Sequence, residues 1–191
     1  MRKIVLVYLF VFSAVVSAEL IVRHADWAVP VIGSSLDNMY KVDDFLYRSE
    51  QPNKSEFKKI SKLGIKEVLN LREYHTDKDE TEDIDINLHR IKIATGSITE
   101  EQVFKALNII LKSNGPILVH CWHGSDRTGA IIAAYRVVHQ GWSKEKAIEE
   151  LINGGYGHHS TIYSNIADLI QNLDVNKIKA KLNLRAELTS K

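Results

Sequence analysis

Apolar and polar positions fall along this chain in blocks whose period changes repeatedly between two and 3.6, the mark of strands interleaved with helices. Phe45-Leu46-Tyr47-Arg48 reads as a short strand, ended by Gln51-Pro52-Asn53. A helix is predicted from about Ser55 to Leu63, with Phe57, Ile60 and Leu63 on one face and Gly64 as its stop. Ile65 to Leu71 reads as a strand. Glu73 to Asp85, with seven acidic residues in thirteen, is expected to be a solvated loop. Leu88 to Ile93 alternates apolar and basic residues, which predicts a strand with one covered face. Thr99 and Gln102 make a capping box ahead of an apolar stripe formed by Val103, Ala106, Leu107, Ile110 and Leu111. After Asn114-Gly115-Pro116, the wholly apolar run Ile117-Leu118-Val119 suits the centre of a sheet. Helices are then expected from about Arg127 to His139, from Ser143 to about Ile152, and from Ile162 to Leu173, the last followed by a basic tail. Residues 19 to 45 give only an irregular lead-in.

Strands alternating with helices predict an α/β fold with a small central, largely parallel sheet flanked by helices. The length of 191 residues suits a single domain, here 19–191 with its core at about 45–173. An apolar fraction of 45% and a charged fraction of 26% exclude a disordered chain, a collagen-like repeat and a polytopic membrane protein. The net charge of +1 gives no support to a nucleic-acid binder. With a single cysteine, neither an intrachain disulfide nor a multi-cysteine zinc site can form.

The N-terminus reads as a leader. Arg2 and Lys3 precede thirteen mostly apolar residues, Ile4 to Val16, and then Ser17-Ala18, with small residues where a signal peptidase reads them. The apolar run is short for a membrane span, which needs roughly 20 residues. Cleavage after residue 18 and a periplasmic or secreted location are therefore expected, with no stable membrane insertion and a monomer.

In such a fold, function belongs where a buried central strand meets its following helix. That junction reads Val119-His120-Cys121-Trp122-His123-Gly124-Ser125-Asp126-Arg127-Thr128-Gly129. Backbone N–H groups of a tight loop, together with the positive end of a helix dipole, form a cradle for a tetrahedral dianion. The same field favours a thiolate at Cys121. Arg127 can offer two parallel donors to phosphate oxygens, and Thr128 places a hydroxyl near the thiolate.

This string resembles the His-Cys-x5-Arg-Thr-Gly phosphate loop of the cysteine-dependent protein tyrosine phosphatases, and within them the compact dual-specificity group. Tyr47 to Pro52, matching Tyr-Arg-Ser-x-Gln-Pro, Asn70-Leu71-Arg72 and Gly141-Trp142-Ser143 share in the resemblance, which covers residues 45 to 173. It implies that Cys121 is the nucleophile that becomes a phosphocysteine and that Arg127 binds the phosphoryl group. The amides of Trp122, His123, Gly124, Ser125, Asp126 and Arg127 would hold the remaining oxygens. No metal and no cofactor is implied, and the partner would be a phosphorylated protein or a small phosphomonoester.

Members of the group commonly supply an acidic proton donor from a loop about thirty residues before the cysteine. The matching segment, Ile93 to Ser97, has no carboxylate, and Glu100 and Glu101 suit the first turn of a helix instead. Asp126 is left as the candidate general acid, with a structural hydrogen bond as its alternative. His120 is expected to orient the loop, Arg48 and Arg72 to brace it, with widening of the anion site as the alternative, and His158-His159 to lie in a polar loop, with substrate contact as the alternative. Trp122 and His123 belong either to the pocket rim or to packing. Lys177, Lys179, Lys181 and Lys191 read as a solvated tail. The function expected is a metal-independent phosphomonoester hydrolase of tyrosine or dual-specificity type. A phosphoinositide or inositol-phosphate phosphatase is the alternative, although Ser125 stands where such relatives often carry lysine. A phosphoryl-binding module without turnover is a further reading. A thiol redox protein is disfavoured because there is no resolving cysteine.

Overall fold

The computed structural model describes residues 23–182. The leader expected at residues 1–18 and the end of the tail, Lys191 included, lie outside them. Among the described residues, six strands form one sheet in the order β1-β2-β3-β6-β4-β5. These are β1 (Val29–Pro30), β2 (Tyr40–Lys41), β3 (Leu46–Ser49), β4 (Glu67–Asn70), β5 (Asn87–Arg90) and β6 (Ile117–His120). The pairs β3·β6, β6·β4 and β4·β5 are parallel, while β1·β2 and β2·β3 are antiparallel. The expected α/β class, a small and largely parallel sheet flanked by helices, is the one observed. The lead-in differs, because part of it adds the two antiparallel edge strands.

Period-two alternation splits the central strands between two apolar layers. Leu118 and Val68 pack with Phe57 and Ile60 of α1 (Lys54–Lys62) on one face. Ile117, Val119 and Leu69 join the other, larger cluster. That layer is built by α3 (Glu100–Leu111), α4 (Asp126–Val138), α5 (Lys144–Asn153), α6 (Ser164–Asn172) and α7 (Val175–Lys181). Helix α4 is apolar nearly all round because it runs through the middle of this layer; every residue except Arg127 is buried. Its one buried cation, Arg136, makes a two-pronged pair with Glu150 of α5 at 2.8 and 2.9 Å.

Four expectations need correction. Leu63 is the C-cap of α1 and is exposed, so the apolar face of that helix stops at Ile60. Strand β5 lies at the sheet edge with Leu88 38% exposed, so its alternation does not mark a well-covered face. The acidic stretch is not all solvated: it contains the short helix α2 (Lys78–Thr81), and Asp77 and Thr81 are buried. The helix ending at Asn172 is followed by another, α7, which buries Ile178. Lys177 and Lys181 of that helix pair with Glu100 and Glu101 at the start of α3, and so dock the tail.

Candidate active site

Strand β6 is the central parallel strand, and its C-terminal end delivers the chain into the loop from Cys121 to Asp126, where α4 begins. Cys121 is 2% exposed. The loop carbonyls are drawn away from its centre one after another. His120 Nδ1 donates to Cys121 O (3.1 Å), the Gln51 N–H to Trp122 O (2.9 Å), Asn38 Nδ2 to His123 O (2.8 Å) and Arg48 Nη2 to Gly124 O (2.7 Å). A peptide unit whose carbonyl points outward points its neighbouring N–H inward. The amides from Trp122 to Arg127 donate to no acceptor of the chain among the described residues. Six unspent donors at the start of a thirteen-residue helix make an anion cradle. Arg127 Nε and Thr128 Oγ1 are buried beside it, likewise without a partner among the described residues.

Gly124 makes the turn possible. It has φ +71°, in the left-handed region, and a Cβ there would meet the Ser49 carbonyl at 2.5 Å. The loop therefore sits directly on the end of β3.

The braces are polar and come from distant segments. His120 is fully buried, with Nε2 3.0 Å from Asp77 Oδ2 and Nδ1 on the Cys121 carbonyl, so both ring nitrogens face acceptors. The other Asp77 oxygen accepts from Gln51 Nε2 (2.9 Å) and Asn70 Nδ2 (3.0 Å). Burial alone would raise the Asp77 pKa; the hydrogen bond and charge of His120, with the two amides, outweigh it and hold the carboxyl below its ordinary range. Arg48, also fully buried, lies with its guanidinium 3.7 Å from the Tyr156 ring centroid. Both arginines brace as expected, Arg72 by donating to Gln51 Oε1 at 3.0 Å. Arg72 lies near enough to Arg127 that, after burial, the charge of Arg127 is the largest influence lowering its pKa. Trp122 belongs to the rim: it is 56% exposed, and its ring stacks on Arg72 at 4.1 Å. Next to it opens a cavity of about 400 Å³ lined by Glu50, Glu56, Glu80, Arg72, His75 and Trp122, among others.

Asp126 accepts hydrogen bonds on both carboxyl oxygens. Its Oδ1 accepts from His158 Nδ1 (2.8 Å) and the His159 N–H (2.9 Å), and its Oδ2 from His159 Nδ1 (2.9 Å). Burial raises its pKa, but these three donors prevail and pull the carboxyl down to about 2. A carboxylate that accepts on both oxygens has the structural hydrogen bonds read from the sequence as the alternative to a general-acid role. His158 and His159 lie in a loop, as expected, and are held there: the His158 ring is buried, and both side chains clamp the last residue of the cradle before Arg127.

Sequence reasoning passed over Asp77, Asn38 and Tyr156, and gave Gln51 no role beyond its place in a motif. Asp77 stands among six other acidic residues with nothing to single it out, and its value comes from His120, 43 positions away. Among the described residues, His75, Asp77 and Glu80 could bring three metal-ligand atoms within 4.8 Å of one another. Both oxygens of Asp77 are already engaged, which makes it a poor cation ligand. No helix of the described residues is long and apolar enough to cross a membrane.

A family model described as "Tyrosine phosphatase family" matches residues 35–189. The dual specificity protein phosphatase TpbA of Pseudomonas aeruginosa is 31% identical over 137 residues, which cover 71% of this chain and 62% of that protein. This chain thus matches somewhat less than two thirds of that relative's length. A crystal structure of TpbA in complex with pTyr is similar with a TM-score of 0.75 at 26% identity, covering 84% of this chain and 98% of that one. The inositol diphosphatase DSP2 of Oryza sativa is 29% identical over 147 residues, covering 72% of this chain and 69% of that protein. A cradle of free amides around a buried cysteine, with an arginine at the first turn of the following helix, thus comes with a match over most of the chain, and the protein belongs to the tyrosine phosphatase family.

Proposed function

We propose that the protein is a metal-independent phosphomonoester hydrolase that works through a phosphocysteine and acts on phosphotyrosyl or dual-specificity protein substrates. The observation that carries this reading is the ring of outward carbonyls and inward amides around Cys121. The Cys121 sulfur attacks phosphorus in line with the ester oxygen; the S–P bond forms as the P–O bond breaks, and the leaving oxygen takes a proton. Water then attacks phosphorus, the S–P electron pair returns to sulfur, and inorganic phosphate departs. The amides and the Arg127 fork meet the equatorial oxygens, where charge is carried through both steps.

The substrate class is supported by what adjoins the cradle. The cavity beside Trp122 carries Glu50, Glu56 and Glu80, which would repel the outer phosphates of an inositol polyphosphate and suit a peptide flanking its phosphoresidue. The pTyr complex of TpbA supports the same class, and DSP2 stands for the alternative. An exported protein is proposed on the leader-like segment 1–18, tested by N-terminal sequencing of the protein recovered from periplasm and medium.

The decisive experiment measures phosphate release from a tyrosyl phosphopeptide and from an inositol polyphosphate, with a chelator present throughout. The wild type is expected to turn over the peptide and to leave the inositol ester largely intact. Cys121→Ser abolishes turnover, and Arg127→Lys loses most of it because a point charge cannot replace the planar fork. Turnover that survives in Cys121→Ser would overturn the mechanism. Preference for the inositol ester would overturn the substrate class.

A further inference from the structure

The segment in which relatives would carry an acidic proton donor has none here, and Asp126 is held as an acceptor. The chain nevertheless brings one exchangeable group to the seam between these two places. His159 fixes its Nδ1 on Asp126, the last cradle residue before Arg127. Its carbonyl accepts from the N–H groups of Ile162 (3.0 Å) and Tyr163 (2.8 Å), and its ring meets the Tyr163 ring edge-on at 6.4 Å. Six residues further on, Asn165 Nδ2 donates to the Thr95 carbonyl (3.1 Å), which ties the start of α6 to the 3-10 turn Thr95–Ser97 that lacks a carboxylate. The loop from Gly157 to Tyr163, with the first turn of α6, thus spans from the phosphate cradle to that turn. His158 is fully buried on the other Asp126 oxygen, so its ring is a fixed strut. The ring of His159 is 47% exposed, and its Nε2 makes no hydrogen bond within the described residues. A carboxylate on one nitrogen of an imidazole fixes its orientation and leaves the other nitrogen to exchange protons.

We propose that His159, held by Asp126, is the proton donor and acceptor of the hydrolysis. This rests on the reading of the cradle as a phosphocysteine site. In the first step His159 Nε2 gives its proton to the ester oxygen as that oxygen takes the electron pair of the breaking P–O bond. In the second step water attacks the phosphocysteine, and one of its protons returns to Nε2 while the S–P pair goes back to Cys121. The ring is thereby restored, with no other reactant consumed. Asp126 is a positioning residue for that ring.

The test is the leaving-group dependence of the His159→Asn variant. The asparagine amide nitrogen falls close to where Nδ1 lies, so the contact with Asp126 can persist while the exchanging nitrogen is gone. Turnover of a tyrosyl phosphate is expected to fall about 10²-fold, and that of an aryl phosphate with a strongly acidic leaving phenol less than about fivefold, since such a group departs without a proton. His159→Ala with added imidazole is the second arm, and imidazole is expected to restore tyrosyl phosphate turnover several-fold in a concentration-dependent way. Equal losses on both esters with no imidazole rescue would overturn the proposal, as would an unchanged rate on tyrosyl phosphate. Wild-type turnover that depends on Cys121 is measured alongside. If that is absent, the phosphocysteine reading itself has failed; if it is present and the leaving-group split is not, only the role of His159 has.

Discussion

Replacing Gly124 by alanine tests whether the cradle depends on the contact between the phosphate loop and β3. At φ +71° an L side chain costs roughly 1–2 kcal/mol in backbone strain. The new Cβ would also lie 2.5 Å from the Ser49 carbonyl carbon and oxygen and 2.7 Å from the Glu50 nitrogen. Ordinary carbon contacts are about 3.5 Å or longer, so loop and strand must separate by roughly 1 Å. The strand is the firmer side, because β3 is paired on both edges, with β2 and with β6. Most of the movement therefore falls on the loop, and it draws the Gly124 carbonyl off Arg48 and the inward amides off the phosphoryl oxygens. A misplacement of about 1 Å costs on the order of 10²-fold in rate. Strain of 1–2 kcal/mol lowers the melting temperature by roughly 2–8 °C in a domain of this size. The assay is kcat/KM on an aryl phosphate together with the affinity for vanadate, read beside a melting curve. Both functional quantities should fall together while the protein stays folded. A folded Gly124→Ala protein that keeps wild-type vanadate affinity and turnover would refute the argument that the cradle is seated on Ser49.

Three further outcomes are expected. Glu150→Gln should destabilise the protein by about 3–5 kcal/mol in urea unfolding, because it leaves Arg136 buried without its countercharge and weakens the acceptor used by the Ala28 N–H and the Tyr156 hydroxyl. Asp77 has a folded pKa below its ordinary value, so its contribution is present at neutral pH and is lost as pH falls through the carboxyl range. The melting-temperature gap between wild type and Asp77→Asn should accordingly be wide at pH 7 and close below about pH 4. Trp122→Ala removes the exposed ring stacked on Arg72 and should raise KM for a phosphopeptide severalfold with little change for a small aryl phosphate, checked by comparing the two substrates.

The features legible in the sequence are those written in short-range patterns. The capping box of α3, the apolar run of β6 and the loop string beginning at Cys121 each lie within about a dozen consecutive residues. Local periodicity and side-chain chemistry carry such features, and that was enough to place a nucleophile and an arginine at the end of a central strand. Strands of two residues, β1 and β2, have no period to show, and their pairing with β3 exists only in the tertiary structure. Leu63 and Leu88 match their patterns but fall at a helix end and a sheet edge, where the pattern has nothing to pack against.

The roles of the acidic residues were hidden for a different reason. A carboxylate acts as donor, acceptor or strut according to its partners, and here the partners are remote: His120 lies 43 positions from Asp77, and His158 and His159 lie 32 and 33 from Asp126. In both cases a buried imidazole, His120 or His158, engages the carboxylate and keeps it ionised next to the anion cradle. Negative charge at these places does not defeat anion binding, because each carboxylate is spent on histidines while the amides and Arg127 remain unspent. The loop identifies where phosphate is held, and the histidines beside it determine what each neighbouring carboxylate can do there.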